Sequence, residues 1–199
     1  MTVLTACIGY LIGSVPTSMW LGRLWGVDLR RSGSGNPGAN NARKVAGYPL
    51  ALLVLGVEMA KGLIAVALGM AIGGEVGAVA AGLGAITGNV YNIWFRFSGG
   101  KGLGITAGVL IGMWPFAFPI AAGVIVIASW LTGSSGLGAL ITMASLLVTA
   151  VVWDMAGWHN AWGVDDPVLL RFAAVGIVLI LVWKHSRDAL DKIRSRARP

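Results

Sequence analysis

Four short stretches of this chain carry residues able to do chemistry, and each sits against apolar sequence. The longest, Asp28 to Lys44, sets Gly33, Gly35 and Gly38 among Ser32, Ser34, Asn36, Asn40 and Asn41, with Arg30 and Arg31 before them and Arg43 and Lys44 after. Glycine lets backbone amides turn toward one point, and such a nest holds an anion. Arginine and lysine add the counter-charge that a phosphate needs. A solvated connecting loop with hinge glycines would show the same pattern, so this stretch alone leaves both readings open. The second is Glu58-Met59-Ala60-Lys61-Gly62 inside an apolar run. Its i, i+3 spacing puts carboxylate and ammonium on one helix face. In hydrocarbon they must face a polar cavity, each other or a neighbouring helix. The third is Ser98-Gly99-Gly100-Lys101-Gly102, directly before another apolar run. Free amides at a helix start attract phosphate, although the spacing and the Ser/Thr of a P-loop are absent. The fourth is His185 at the membrane edge, a phosphate donor, a titrating group or merely an interfacial residue. Phosphate binding is the chemistry these stretches share.

The elements that must position them belong to a membrane. A mean hydropathy of +0.78, with 56% hydrophobic and 12% charged residues, describes an integral membrane protein. The 199 residues make a single domain, 1–199. The net charge of +7 lies in short loops between apolar runs, which suits membrane orientation and anionic headgroups and gives no reason to expect nucleic acid. Cys7 is the one cysteine, so no internal disulfide forms. The N-terminus lacks a basic region and a small-residue cleavage site, and no signal peptide is expected.

The apolar runs are Val3–Leu24, Pro49–Ile72, Val76–Phe95, Leu137–Trp153 and Val168–Trp183, with Gly73–Glu75 as a turn and a basic tail over 185–199. Leu103–Leu131 is either one broken helix or a hairpin, since Pro115 and Pro119 interrupt it. Charge decides between them. Of fifteen Lys and Arg, all but Lys61 and Arg171 fall between Arg23 and Lys44, at Arg96 and Lys101, or from Lys184 onward, while Glu75, Asp154, Asp165 and Asp166 mark the other turns. With every basic loop cytoplasmic, the N-terminus is outside and the number of spans odd. The hairpin supplies that parity. The expectation is an all-α integral membrane protein of about seven transmembrane helices, several of them short, with a cytoplasmic C-terminus. Trp20, Trp25, Trp94, Trp114, Trp130, Trp153 and Trp183 fall near span ends, where interfacial belts lie. Gly104, Gly108 and Gly112 allow close helix packing.

In order along the chain, these motifs resemble those of the acyl-phosphate-dependent glycerol-3-phosphate acyltransferases of bacterial membranes, the PlsY type. The family's Gly-Ser-Gly-Asn-x-Gly-Ala-Thr-Asn loop is similar to Gly33 through Asn41, and its Asp-x-x-Lys-Gly to Glu58 through Gly62. Its Gly-His-x-x-Pro followed by Phe-x-Gly-Gly-Lys-Gly resembles Gly88 through Asn92 and then Phe97 through Gly102; its late His-x-x-Asn resembles His185 through Asp188. The departures are Asn40 for Thr, Lys44 for Arg, Glu58 for Asp, Asn89 for His, Asn92 for Pro and Asp188 for Asn. Asn89 takes no proton near neutral pH and cannot be a general base.

The resemblance implies transfer of a fatty acyl group from acyl phosphate to sn-glycerol 3-phosphate, giving lysophosphatidate and phosphate for phospholipid synthesis. Acyl phosphate is already activated, so no metal or cofactor is required; positioning and charge stabilisation can supply the acceleration. Ser34, Lys101 and His185 become the candidate catalytic residues. Gly33, Gly35, Asn36, Asn41, Lys44, Lys61, Gly99 and Gly100 become candidate phosphate ligands, with Glu58, Asn89 and Asp188 in support. The substrate's own phosphate is the implied base. The implied setting is a multi-pass monomer of the bacterial inner membrane, in contact with membrane lipids and with its active site toward the cytoplasm. The alternatives are a non-catalytic or altered-acceptor homologue and a small membrane anion transporter. Against the transporter, the polar motifs gather at one face and no internal repeat is visible.

Overall fold

The computed structural model describes residues 1–196, which are helix and loop without a strand. Val3–Leu24 is not one helix but two, α1 (Thr2–Ser14) and α2 (Thr17–Leu24). The reason is Pro16, which has no N–H and pushes its predecessor out of the helical region; Val15 sits at φ −56° and ψ 122°. Side chains from far along the chain satisfy the carbonyls at the break. Asn92 Nδ2 donates to Ser14 O at 2.7 Å, and Lys61 Nζ donates to Val15 O at 2.8 Å.

The next two runs form one bent element, α3 (Ala39–Val90), with non-helical backbone at Gly47, Gly73 and Gly74. These glycines divide it into 39–46 and two long arms, 48–72 and 75–90. Gly74, at φ 61°, adopts a conformation open to glycine without strain and turns the chain back on itself. The arms touch backbone to backbone: a Cβ added to Gly69 would lie 2.3 Å from Gly77 O.

Helix α1 lies against the second arm just as closely. A Cβ on Gly9 or Gly13 would come 2.0 Å from the carbonyl oxygen of Ala81 or Ala85, the approach that small residues permit in membranes. Gly13→Val is therefore expected to lower the melting temperature in detergent by roughly 2–10 °C, from an overpacking cost of about 1–3 kcal/mol. Gly56, with nothing within 4 Å of an added Cβ, should accept valine with little change. Equal melting of the two variants would contradict this packing.

Leu103–Leu131 is two helices, α4 (Leu103–Met113) and α5 (Ala117–Thr132). Close packing through glycine recurs here, since a Cβ on Gly108 would meet Met59 O at 1.9 Å. α6 (Ser135–Met155) and α7 (Pro167–Arg196) complete the bundle. Residues 197–199 of the basic tail lie outside the described residues. The apolar core falls into two clusters, the larger with Ile86, Ile105, Val109, Met113, Leu170 and Leu181 buried, the smaller around Leu29, Leu50 and Val54.

Four stretches are long and apolar enough to cross a membrane: Thr2–Leu24, Ala39–Phe95, Ser135–Met155 and Pro167–Leu190; α4 and α5 are shorter apolar helices. The two ends of the bundle differ in charge. At one end, Asp166 N–H donates to Glu75 at 3.0 Å, and Arg171 pairs with Asp154 at 2.9 Å, which accounts for one of the two basic residues outside the basic loops. There His159 beside Asp165, with the Asn160 amide, holds the Asp165 carboxyl below its usual range. The loop after α6 folds inward, Val164 N–H reaching Met113 O at 2.8 Å. It helps to bury Trp114 and Trp153, which meet edge to face at 5.8 Å. These two tryptophans belong to the core and not to an interfacial belt; Trp20, Trp25, Trp94, Trp130 and Trp183 are exposed as expected. The glycine-rich loops, the α5–α6 turn and the end of α7 gather at the other end.

Candidate functional site

The loop before α3 is packed, not a loose connection. Leu29 is fully buried beside Met19, Ala42 and Leu50, and Gly33 and Gly35 take positive φ values of 60° and 70°. Asn41, 2% exposed, holds the turn from inside. Its Nδ2 donates to Leu29 O and Ser32 O, both at 2.9 Å, and its Oδ1 accepts from Ser34 N–H at 2.8 Å. Both amide hydrogens are engaged, so Asn41 positions Ser34 where sequence suggested a phosphate donor. The loop is also tied across to its neighbour by Arg30, whose Nη1 donates to Ser98 O at 2.9 Å while its guanidinium lies over Phe95.

The Gly-Gly-Lys stretch is shaped by backbone contact. Gly99 N–H donates to Val90 O and Gly100 N–H to Asn89 O, each at 3.0 Å. A Cβ on Gly99 would come 2.0 Å from Asn89 O. These two amides were expected to cradle phosphate; instead they close the turn against the end of α3. Lys101 is left projecting, its Nζ ion-paired with Asp188 of α7. Its carbonyl accepts from His185 Nε2 at 3.1 Å. A carbonyl cannot donate, so that ring nitrogen carries the proton. His185 Nδ1 is buried and, among the described residues, has no hydrogen-bond partner.

Between these loops lies a cavity of about 400 Å³. Ser34, Asn36, Asn41, Glu58, Asn89, Gly100, Lys101 and His185 line it. Three helices begin on its wall: α3 at Ala39, α4 at Leu103 and α6 at Ser135. The first amides of a helix have no partner within it, and the macrodipole is positive at that end. Three such ends and, among the described residues, one lysine are an arrangement that attracts anions. Ser129 and Ser135 also line it, and sequence reading missed both. The available signal was Ser134-Ser135 ahead of an apolar run: the Ser134 side chain caps α6, accepting from Leu137 N–H at 3.3 Å.

The buried charges lie at the cavity's inner edge. Glu58 accepts from Thr17 Oγ1 at 3.1 Å, from Lys61 Nζ at 3.2 Å and from Asn89 Nδ2. Asn89 therefore directs its amide nitrogen at Glu58 and braces that carboxylate. Lys61 is absent from the cavity wall; it answers Glu58 and the Pro16 break. Lys44 is exposed and also off the wall, as are Gly33, Gly35 and Gly99. Asn92 spans two segments, bonding Ser14 O and, through Oδ1, Trp94 N–H at 3.0 Å.

A second cavity, about 280 Å³ and almost wholly apolar, adjoins the first, with Leu55, Leu103, Ile125 and Val126 on both walls. It continues between α4, α5 and α6 past Leu110, Phe118 and Met143. One molecule with an anionic head and an apolar tail could fill the pair. Among the described residues, no group of three or more His, Cys, Asp or Glu is placed to hold a metal ion.

Residues 3–194 match the profile of the family described as glycerol-3-phosphate acyltransferase. The chain is 40% identical over 189 residues to the glycerol-3-phosphate acyltransferase of Synechococcus sp. (strain JA-3-3Ab), covering 94% of this chain and 89% of that one. It is 35% identical over 200 residues to that of Pseudomonas paraeruginosa (strain DSM 24068 / PA7), covering 100% and 99%. Among solved structures it resembles PlsY, an integral membrane glycerol 3-phosphate acyltransferase, in its glycerol 3-phosphate form, with a TM-score of 0.79 at 24% identity, covering 100% of this chain and 94% of that one. The likeness to the lysophosphatidic acid form has a TM-score of 0.77 at 23% identity, with the same coverage.

Proposed function

This chain belongs to the glycerol-3-phosphate acyltransferase family and acylates glycerol 3-phosphate in phospholipid synthesis, and we propose that its acyl donor is an acyl phosphate. The observation that carries the reading is the junction of the two cavities, where the polar one with its three helix starts and Lys101 opens onto the apolar one. The acyl chain lies between α4, α5 and α6, and its activated carbonyl sits near Leu103. Phosphate groups lie by Lys101, Ser34, Asn36 and the opening amides of α3, α4 and α6.

The hydroxyl oxygen of glycerol 3-phosphate attacks the carbonyl carbon, forming the ester bond. The bond from that carbon to the phosphate oxygen breaks, and inorganic phosphate leaves with the electron pair. The proton passes to a substrate phosphate oxygen. Fixed donors stabilise the oxyanion and the leaving group, and holding both reactants together removes much of the entropic barrier. Ser34 and Lys101 are the contacting groups, His185 fixes the Lys101 backbone, and Glu58 and Asn89 hold the inner wall.

The test is purified protein in detergent with labelled glycerol 3-phosphate, supplied with palmitoyl phosphate or palmitoyl-CoA. Lysophosphatidate from palmitoyl phosphate alone is expected. Product from the thioester alone would overturn the donor assignment. Phosphate binding without turnover of either donor would identify an altered homologue.

The same reading extends to the setting: one domain over 1–199, acting as a monomer, with about seven passes, an outside N-terminus and the cavity toward the cytoplasm of a bacterial inner membrane. Support comes from the charge asymmetry of the two ends. A membrane-impermeant thiol reagent should label Ser98→Cys, in a Cys7→Ser background, only from the cytoplasmic side, and Trp158→Cys only from outside. Labelling of Ser98→Cys from outside would reverse the orientation.

A further inference from the structure

We propose that Asp188 is an internal competitor for the phosphate that Lys101 binds, occupying the ammonium until a phosphate-bearing molecule displaces it. The inference rests on the reading of the polar cavity as a phosphate site.

Helix α7 grips Lys101 twice. His185 holds its carbonyl, and one turn further on Asp188 holds its ammonium. Asp188 cannot easily withdraw, because α7 lies directly on the start of α6: a Cβ on Gly136 would come 2.7 Å from Asp188 Cβ and 2.8 Å from Ala189 N. The backbone and Cβ of Asp188 are therefore held beside the cavity, and its carboxylate stays within reach of the ammonium after it is displaced. This end of α7 is cationic, since Lys184 is within electrostatic reach of Arg187, Arg30 and Lys101. Other described acids at this end are committed elsewhere: Asp28 pairs with Arg31, and Glu58 with Lys61.

The Lys101 and Asp188 side chains are 30% and 35% exposed, and ion pairs this open contribute little net stability. A phosphate dianion brings twice the charge and several acceptor oxygens, and it also faces the starts of α3, α4 and α6, which Asp188 does not satisfy. It displaces the carboxylate where a monoanion such as chloride or a fatty carboxylate does not. Once the phosphate is free to leave, the returning carboxylate hastens its release. Asp188 thus raises both the charge threshold for occupancy and the rate of emptying.

The test is binding, not turnover. Wild-type protein, Asp188→Asn, Lys101→Met and the double variant are titrated by calorimetry in detergent, with inorganic phosphate in one arm and glycerol 3-phosphate in the other. Asp188→Asn is expected to tighten phosphate binding about tenfold, equivalent to about 1.4 kcal/mol. In the Lys101→Met background the same change should have no effect, since the coupling runs through that ammonium. Asp28→Asn, which alters net charge equally, should change Kd less than twofold. Tightening of inorganic phosphate alone places the competition at the leaving group; tightening of glycerol 3-phosphate places it at the acceptor. Unchanged Kd in both arms, an equal gain without Lys101, or no binding in any variant overturns the proposal. Asp188→Ser, smaller and neutral, repeats the comparison if Asp188→Asn does not fold. Turnover of palmitoyl phosphate by the wild type is a separate measurement, so Asp188 can fail this test while the proposed reaction stands.

Discussion

Lys101→Met is expected to reduce acyl transfer by about 10²–10³-fold while the protein remains folded in detergent. That is the typical loss when one fixed donor to developing negative charge is removed. Among the described residues Lys101 is the one lysine on the cavity wall, and its side chain is a third exposed, so methionine leaves no buried group without a partner. The remaining helix starts still attract phosphate, which limits the expected rise in KM and directs the loss mainly to kcat. Arg171→Met is the matched control. It removes a cation paired with Asp154 at the opposite end, and its activity should stay within twofold of wild type. Equal activity in the two variants would remove Lys101 from the reaction.

Glu58→Leu should unfold or severely destabilise the protein, by about 3–5 kcal/mol, because it leaves a buried ammonium without its partner. Lys61 is 7% exposed, and among the described residues its other hydrogen bond goes to Val15 O. The double variant Glu58→Leu/Lys61→Met should recover much of the lost stability, since replacing both members of a buried pair costs less than removing one. It should not recover activity, because Asn89 also loses its anchor on Glu58. Thermal melting and acyl transfer measured on the same preparations separate the two effects. A single variant as stable as wild type would refute the buried pair.

The helical membrane architecture was legible because it depends on local composition and on where charge lies. The turn at Gly73–Glu75 and the split within Leu103–Leu131 both follow from backbone chemistry that glycine and proline announce. The polar cavity was legible in part: the two glycine-rich loops and His185 meet as their shared phosphate chemistry suggested. What could not be read was the division of labour within them. Asn41, Gly99 and Gly100 look like phosphate ligands in sequence, yet each is bonded to backbone. Lys61 and Asn92 reach carbonyls 46 and 78 residues away, and no periodic pattern encodes a partner at that distance. Trp114 and Trp153 have interfacial positions in sequence but are covered by the loop after α6, which only tertiary packing places there.

The Pro16 break gives this protein a timetable. α1 is synthesised first, and Val15 O soon has Thr17 N–H at 2.9 Å, but the donor that answers Ser14 O arrives only with Asn92. At about 5–20 residues per second, that carbonyl waits roughly 4–16 s for its partner 78 residues on. An unanswered carbonyl in hydrocarbon costs several kcal/mol. The newborn first helix must therefore keep this end in the wet headgroup layer, or against the insertion machinery, until the hairpin beside it is complete. Its final depth is set by a helix that does not yet exist when it enters the bilayer.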